Sequence, residues 1–191
     1  MINAFWKRFK IVLTVCAAMS VVHLVNMALG GQLNQFGILP RDPNSLPYIY
    51  SSPLLHGNLS HLINNLIGLA IFSWLCLLRT VRLYVWSSLF IITLTGILVW
   101  LFGRHAMHIG ASGWVFGLWS LSIALACFDR RPLNILIALV VVFLYGGMIY
   151  GVLPQDASIS FEAHFFGAIS GVLAAWLSTW KVFKRNKVRR K

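Results

Sequence analysis

Carboxylates are almost missing from this chain: four Asp and Glu stand against sixteen Lys and Arg in 191 residues. Charged residues of both signs make up only 10%, while 59% are hydrophobic. A soluble domain has no means of hiding that much apolar surface. That leaves an integral membrane protein, of one domain at this length. Cysteine is scarce too. Cys16, Cys76 and Cys127 each lie within an apolar stretch, with no close pair and no metal-ligand spacing. They read as small buried side chains rather than a disulfide framework or a zinc site. The net charge of +12 would suit nucleic acid, but the basic residues sit at the ends of apolar runs and in the C-terminal tail. No basic groove interleaved with aromatic platforms exists, so nucleic acid is set aside as a partner.

Apolar runs of about the ~20 residues that a crossing helix needs fall at 11–30, 54–78, 83–102, 112–128, 133–153 and 162–180. The fourth is the shortest. Turn-forming or charged stretches separate them, among them Pro40-Arg41-Asp42-Pro43, Gly103-Arg104-His105 and Asp129-Arg130-Arg131-Pro132. The expected fold is an all-α membrane protein, a six-transmembrane-helix bundle. Residues 1–10 form a cytoplasmic N-terminus, 11–180 the six-span domain, and 181–191 a basic cytoplasmic tail. Placing the N-terminus inside puts Lys7, Arg8, Lys10, Arg79, Arg82, Arg130, Arg131 and the seven basic residues of the tail on the cytoplasmic side. Only Arg41 and Arg104 then face out. The first run follows Lys7 to Lys10 in the manner of a signal peptide, but its length favours a retained helix.

This orientation sets His56, His61, Ser112 and His164 near the outer ends of their helices. Polar groups at that depth are costly and mark a functional cavity by default. Ser112 lies in Gly110-Ala111-Ser112-Gly113 at the start of the fourth span, and His164 opens the sixth. A serine hydroxyl needs a base to act as a nucleophile, and imidazole suits that task. Gly113 and Gly117 on one helix and Gly167 and Gly171 on the other each clear a face for close approach. Such motifs also serve packing alone. His61 and Asn65 share a face of the second helix. They could hold an oxyanion with the Ser112 backbone N–H, or act as polar glue between helices. Asp42, Asp129, Asp156 and Glu162 are all loop or helix-end residues, and first-turn dipole complementarity accounts for Glu162. A Ser–His dyad is therefore expected in place of a triad.

These residues resemble the rhomboid family of intramembrane serine proteases. His-x-x-x-Asn stands in the second span, Gly-x-Ser-Gly in the fourth and His-x-x-Gly-x-x-x-Gly in the sixth. The resemblance covers nearly the whole chain and implies Ser112 as nucleophile and His164 as general base. It assigns His61, Asn65 and the Ser112 N–H to the oxyanion hole, and to His56 a bracing role for the first loop. Gly110, Gly113, Gly117, Gly167 and Gly171 support the site. The family often carries Tyr where this chain has Phe116, whose ring can still stack on the imidazole. Many members have a Trp-Arg pair in the first outer loop; Ser45 to Tyr50 contains none, so loop 31–53 is expected to differ in shape. The implied reaction is cleavage of transmembrane protein substrates near the outer face, with no cofactor and no metal. A substrate helix would enter between the second and fifth spans, under a cap at about 154–161.

An alternative is a non-catalytic rhomboid-like protein that binds or escorts transmembrane clients. A metalloprotease built on His56, His61 and His164 lacks both His-Glu-x-x-His and a liganding carboxylate. His23 is expected to face the bundle. His105 and His108 are expected to be loop histidines at the outer water interface, and the tail to meet anionic lipid. The partners expected are thus the bilayer and membrane-spanning substrates, and the location a bacterial cytoplasmic membrane. The sequence specifies no oligomeric state.

Overall fold

The computed structural model describes residues 2–154 and 160–188, with side chains up to residue 180. Six long helices carry the fold: α1 (Ile2–Ala28), α2 (Leu59–Leu77), α3 (Val81–Phe102), α4 (Ser112–Phe128), α5 (Pro132–Tyr145, continued by 3-10 turns over Gly146–Val152) and α6 (Phe161–Val188). Five are long and apolar enough to cross a membrane, and α4 is a shorter apolar helix. The protein is an all-α, multi-pass membrane bundle.

Local chemistry sets the boundaries. The Asn58 side chain caps α2 by accepting from the His61 N–H at 2.8 Å, so the helix begins there and not at 54. Thr80 does the same for α3 through the Leu83 N–H. Pro132 opens α5 at a position that has no use for an N–H. At the N-terminus α1 starts at Ile2, nine residues before the apolar run expected at 11. Phe5 extends its packing surface, meeting Trp74 of α2 edge-on at 5.3 Å. The backbone of α6 continues to Val188, through most of the segment expected as a tail. Residues 155–159 of the expected cap and 189–191 of the tail lie outside the described residues.

Helix α4 stands at the centre, buried on nearly every side from Gly113 to Leu125. Such a helix needs apolar residues all round, which is why it shows no amphipathic stripe. Its 17 residues rise about 25 Å, short of the ~30 Å hydrocarbon core. It therefore cannot reach both surfaces, and its polar N-terminus can lie recessed among longer neighbours. The most extensive pairing is α4 with α6. A Cβ on Gly167 would run into the Gly113 carbonyl, and one on Gly171 into the Gly117 carbonyl. The two glycine faces expected from their spacing do meet.

At the far end from Ser112, Arg79 donates to Asn134 Oδ1 at 2.6 Å, to the Leu75 carbonyl at 3.2 Å and to the Ser122 carbonyl at 3.3 Å. One guanidinium thus ties α2, α4 and α5. The long connection between α1 and α2 folds into three short 3-10 turns. Arg41 Nη1 donates to the Gly103 carbonyl at 2.8 Å, and Trp100 Nε1 to the Asp42 carbonyl at 2.8 Å. This loop therefore has an Arg and a Trp anchor after all, with the Trp supplied by α3.

Candidate active site

A cavity of about 680 Å³ opens between α2, α4, α5 and the start of α6. Ser112, His61, Asn65, Phe116 and His164 all line it. They arrive from three helices, nearly fifty residues or more apart in sequence. The Ser112 hydroxyl is half-buried at the first position of α4. Ala111 precedes it and offers no side-chain cap, so the first-turn N–H groups, including that of Ser112, have no intrahelical partner. Anions are favoured at such an end.

Two contacts fix the His164 ring. Its face stacks on Phe116, with centroids 4.2 Å apart and planes 8° from parallel. Its Nδ1 lies 2.9 Å from the Gly151 carbonyl. A carbonyl only accepts, so Nδ1 carries the hydrogen and Nε2 of the neutral ring keeps its lone pair. Gly151 must be small here, since a Cβ would lie 2.7 Å from Phe116 Cζ. Among the described residues no hydrogen bond joins Ser112 to His164; both line the cavity wall. Bonds of this kind are often open in the unliganded state and tighten around substrate.

Opposite them, α2 presents His61 and Asn65 beside Gly110. The φ of +115° at Gly110 belongs to glycine, and a Cβ there would lie 2.5 Å from His61 Nε2 and 3.5 Å from Asn65 Nδ2. The bare backbone thus lets both side chains approach the turn that leads into Ser112. Asn65 is 5% exposed, and its Nδ2 is buried without a hydrogen-bond partner. A free donor in a cavity wall is a costly arrangement for mere packing.

His56 does not line this cavity. It is fully buried behind His61, with ring centroids 5.0 Å apart, and Nδ1 donates to the Leu54 carbonyl at 3.3 Å. His23 of α1 stands behind it at 6.5 Å, facing the bundle. Outside the membrane-spanning segments, burial first, and charge on His61 and His23 after it, push the His56 pKa down to about 4 against the opposing pull of the Leu54 carbonyl. His105 is exposed, as a loop histidine should be. His108 is not: it is 3% exposed and bonded on both ring nitrogens, which corrects its expected place at the water interface. The burial comes from strand-like pairing of its backbone with Ile38, a long-range contact with no local signal. Glu162 likewise does more than complement a helix dipole, since it accepts from the Arg104 side chain at 3.4 Å.

A family model described as Rhomboid domain matches residues 43–181. The chain belongs to the rhomboid family. This rhomboid is 34% identical over 188 residues to an uncharacterized protein of Mycobacterium tuberculosis and to one of Mycobacterium bovis, with 94% of this chain and 78% of each relative covered. An uncharacterized protein of Mycobacterium leprae is 33% identical over 175 residues, covering 87% of this chain and 69% of the relative. The family match spans α2 to α6 and every residue of the cavity described above, whereas α1 and His23 lie outside it.

Proposed function

We propose that the protein is an intramembrane serine endopeptidase working through a Ser112–His164 dyad. The observation that carries this reading is the state of His164. Bonded at Nδ1 and stacked on Phe116, it presents a basic Nε2 in the cavity that Ser112 lines. Ser112 Oγ attacks the scissile carbonyl while its proton passes to Nε2. The oxyanion is met by Asn65 Nδ2, His61 and the Ser112 N–H. His164 then returns the proton to the leaving amine as the C–N bond breaks. Water, deprotonated by the same imidazole, hydrolyses the acyl-enzyme and frees Ser112.

The substrates are transmembrane proteins whose helix unwinds near the outer face, entering between α2 and α5. Both termini are cytoplasmic, as the distribution of basic residues favours, and the mycobacterial relatives favour a bacterial cytoplasmic membrane. The deciding experiment measures cleavage of a reporter bearing a single transmembrane helix in proteoliposomes. Ser112→Ala and His164→Ala should each lower the rate by about 10³-fold or more, and a fluorophosphonate should label the wild type but not Ser112→Ala. Undiminished cleavage by folded Ser112→Ala would sink the assignment and leave client binding as the better account.

A further inference from the structure

The glycine seam brings α4 and α6 close, but a smooth seam fixes separation better than register. A second tie joins the two helices at the end where Ser112 and His164 lie. It runs through His108, in the loop between α3 and α4, and Ser160, the residue before α6.

The direction of each bond follows from what its atoms can do. His108 Nε2 lies 3.0 Å from the Arg104 carbonyl, which only accepts, so Nε2 carries the hydrogen. Nδ1 of the neutral ring is then an acceptor, and the Ser160 hydroxyl, 2.7 Å away, donates to it. Ser160 Oγ in turn accepts from the Ala163 N–H at 3.2 Å, capping the first turn of α6 one residue before His164. Every donor along this path from Arg104 to Ala163 meets an acceptor. Burial holds the His108 pKa below its ordinary value, against the pull of the Arg104 carbonyl and the Glu162 carboxylate, which keeps the neutral ring this pattern needs.

The backbone side of His108 is clamped as firmly. Its N–H donates to the Ile38 carbonyl at 2.8 Å, and its own carbonyl accepts from Ile38 N–H at 3.0 Å and Ser52 Oγ at 2.9 Å. The Ser52 carbonyl accepts from Gly110 N–H at 2.9 Å, two residues before Ser112. His108 thus has its main chain fixed to the turn that carries Ser112 and its side chain fixed to the turn that carries His164. We propose that His108 is a positioning residue, which through Ser160 sets the register of the His164 imidazole against Ser112. This rests on the protease reading.

The test uses the full chain in detergent and in liposomes, with variants His108→Ala, Ser160→Ala and His108→Asn. Asn retains a carbonyl oxygen near the Nδ1 position and can still accept from Ser160. Thermal midpoint, rate of fluorophosphonate labelling at Ser112, and kcat and KM on a single-span reporter are read for each. His108→Ala and Ser160→Ala should each lower kcat and labelling rate by about tenfold with KM little changed, as a small misplacement of reacting groups does. The double variant should be no worse than either single one, and His108→Asn should recover most of the loss. Ser160→Ala removes one hydroxyl, so it keeps the question open to experiment if His108→Ala fails to fold. A fall in thermal midpoint with kcat and labelling unchanged would overturn the proposal and leave a structural cap. Equal cleavage by wild type and Ser112→Ala would overturn the protease reading itself, a result distinct from either.

Discussion

Gly151 and Phe116 between them choose the tautomer and the tilt of the His164 ring, through one carbonyl at 2.9 Å and one stacked face at 4.2 Å. Phe116 contributes only its ring to this. Phe116→Tyr should therefore leave cleavage within about twofold, while Phe116→Leu, which loses an aromatic pair worth roughly 0.5–1.5 kcal/mol, should lower kcat by about three- to tenfold. Both are measured on the same single-span reporter. Gly110 is more demanding. Gly110→Ala meets a left-handed φ and the His61 ring at once, so labelling of Ser112 by fluorophosphonate should fall below a tenth of wild type, about 1.4 kcal/mol in barrier. Ser112, His164, His61 and Asn65 were all legible in the sequence, because polar residues in apolar helices are conspicuous. Gly151 was not, since its contribution is a backbone carbonyl that any residue type possesses.

Helix α4 shows how an element can be legible in outline and silent in detail. Its limits, Ser112–Phe128, coincide with the apolar run, and its glycines foretell a close neighbour. The partner glycines on α6 meet it through backbone carbonyls, so added volume has nowhere to go. Gly171→Ala and Gly167→Ala should each destabilise the fold by about 1–3 kcal/mol through overpacking, read as a lowered thermal midpoint in detergent. Gly146 or Gly147, where a Cβ meets nothing within 4 Å, should tolerate Ala. The α1–α2 connection behaves in the opposite way. No Trp-Arg pair occurs near Ser45 to Tyr50, yet Arg41 and Trp100 anchor the loop from positions 59 residues apart. Trp100→Phe should keep the packing and lose the bond to the Asp42 carbonyl, at a cost of about 1 kcal/mol.

Across the whole molecule, three imidazoles from α1, the first loop and α2 are packed in a row, His23, His56 and His61. The His56 pKa of about 4 in the folded protein lies below the ~6.5 of an unfolded chain. Between those values the unfolded state binds the proton and the native state does not. Stability is therefore whole above pH ~6.5, falls as pH drops toward 4, and levels off below that. Thermal midpoints taken from pH 8 to pH 4 should show this decline, and His56→Asn should show a shallower one.

What the sequence determined by itself was the class, the number of helices, the family and the polar residues of the cavity. Composition forced the chain into a bilayer, and the few side chains that a bilayer penalises stood out against the apolar helices. Tertiary structure decided how those side chains are held. The Gly151 carbonyl behind His164, the Arg41 and Trp100 anchors, and the path from Ile38 through His108 to Ser160 join residues whose separation in sequence carries no periodic signal. Most of these ties end on backbone groups, which are the same at every position, so only the folded path of the chain selects which carbonyl meets which donor.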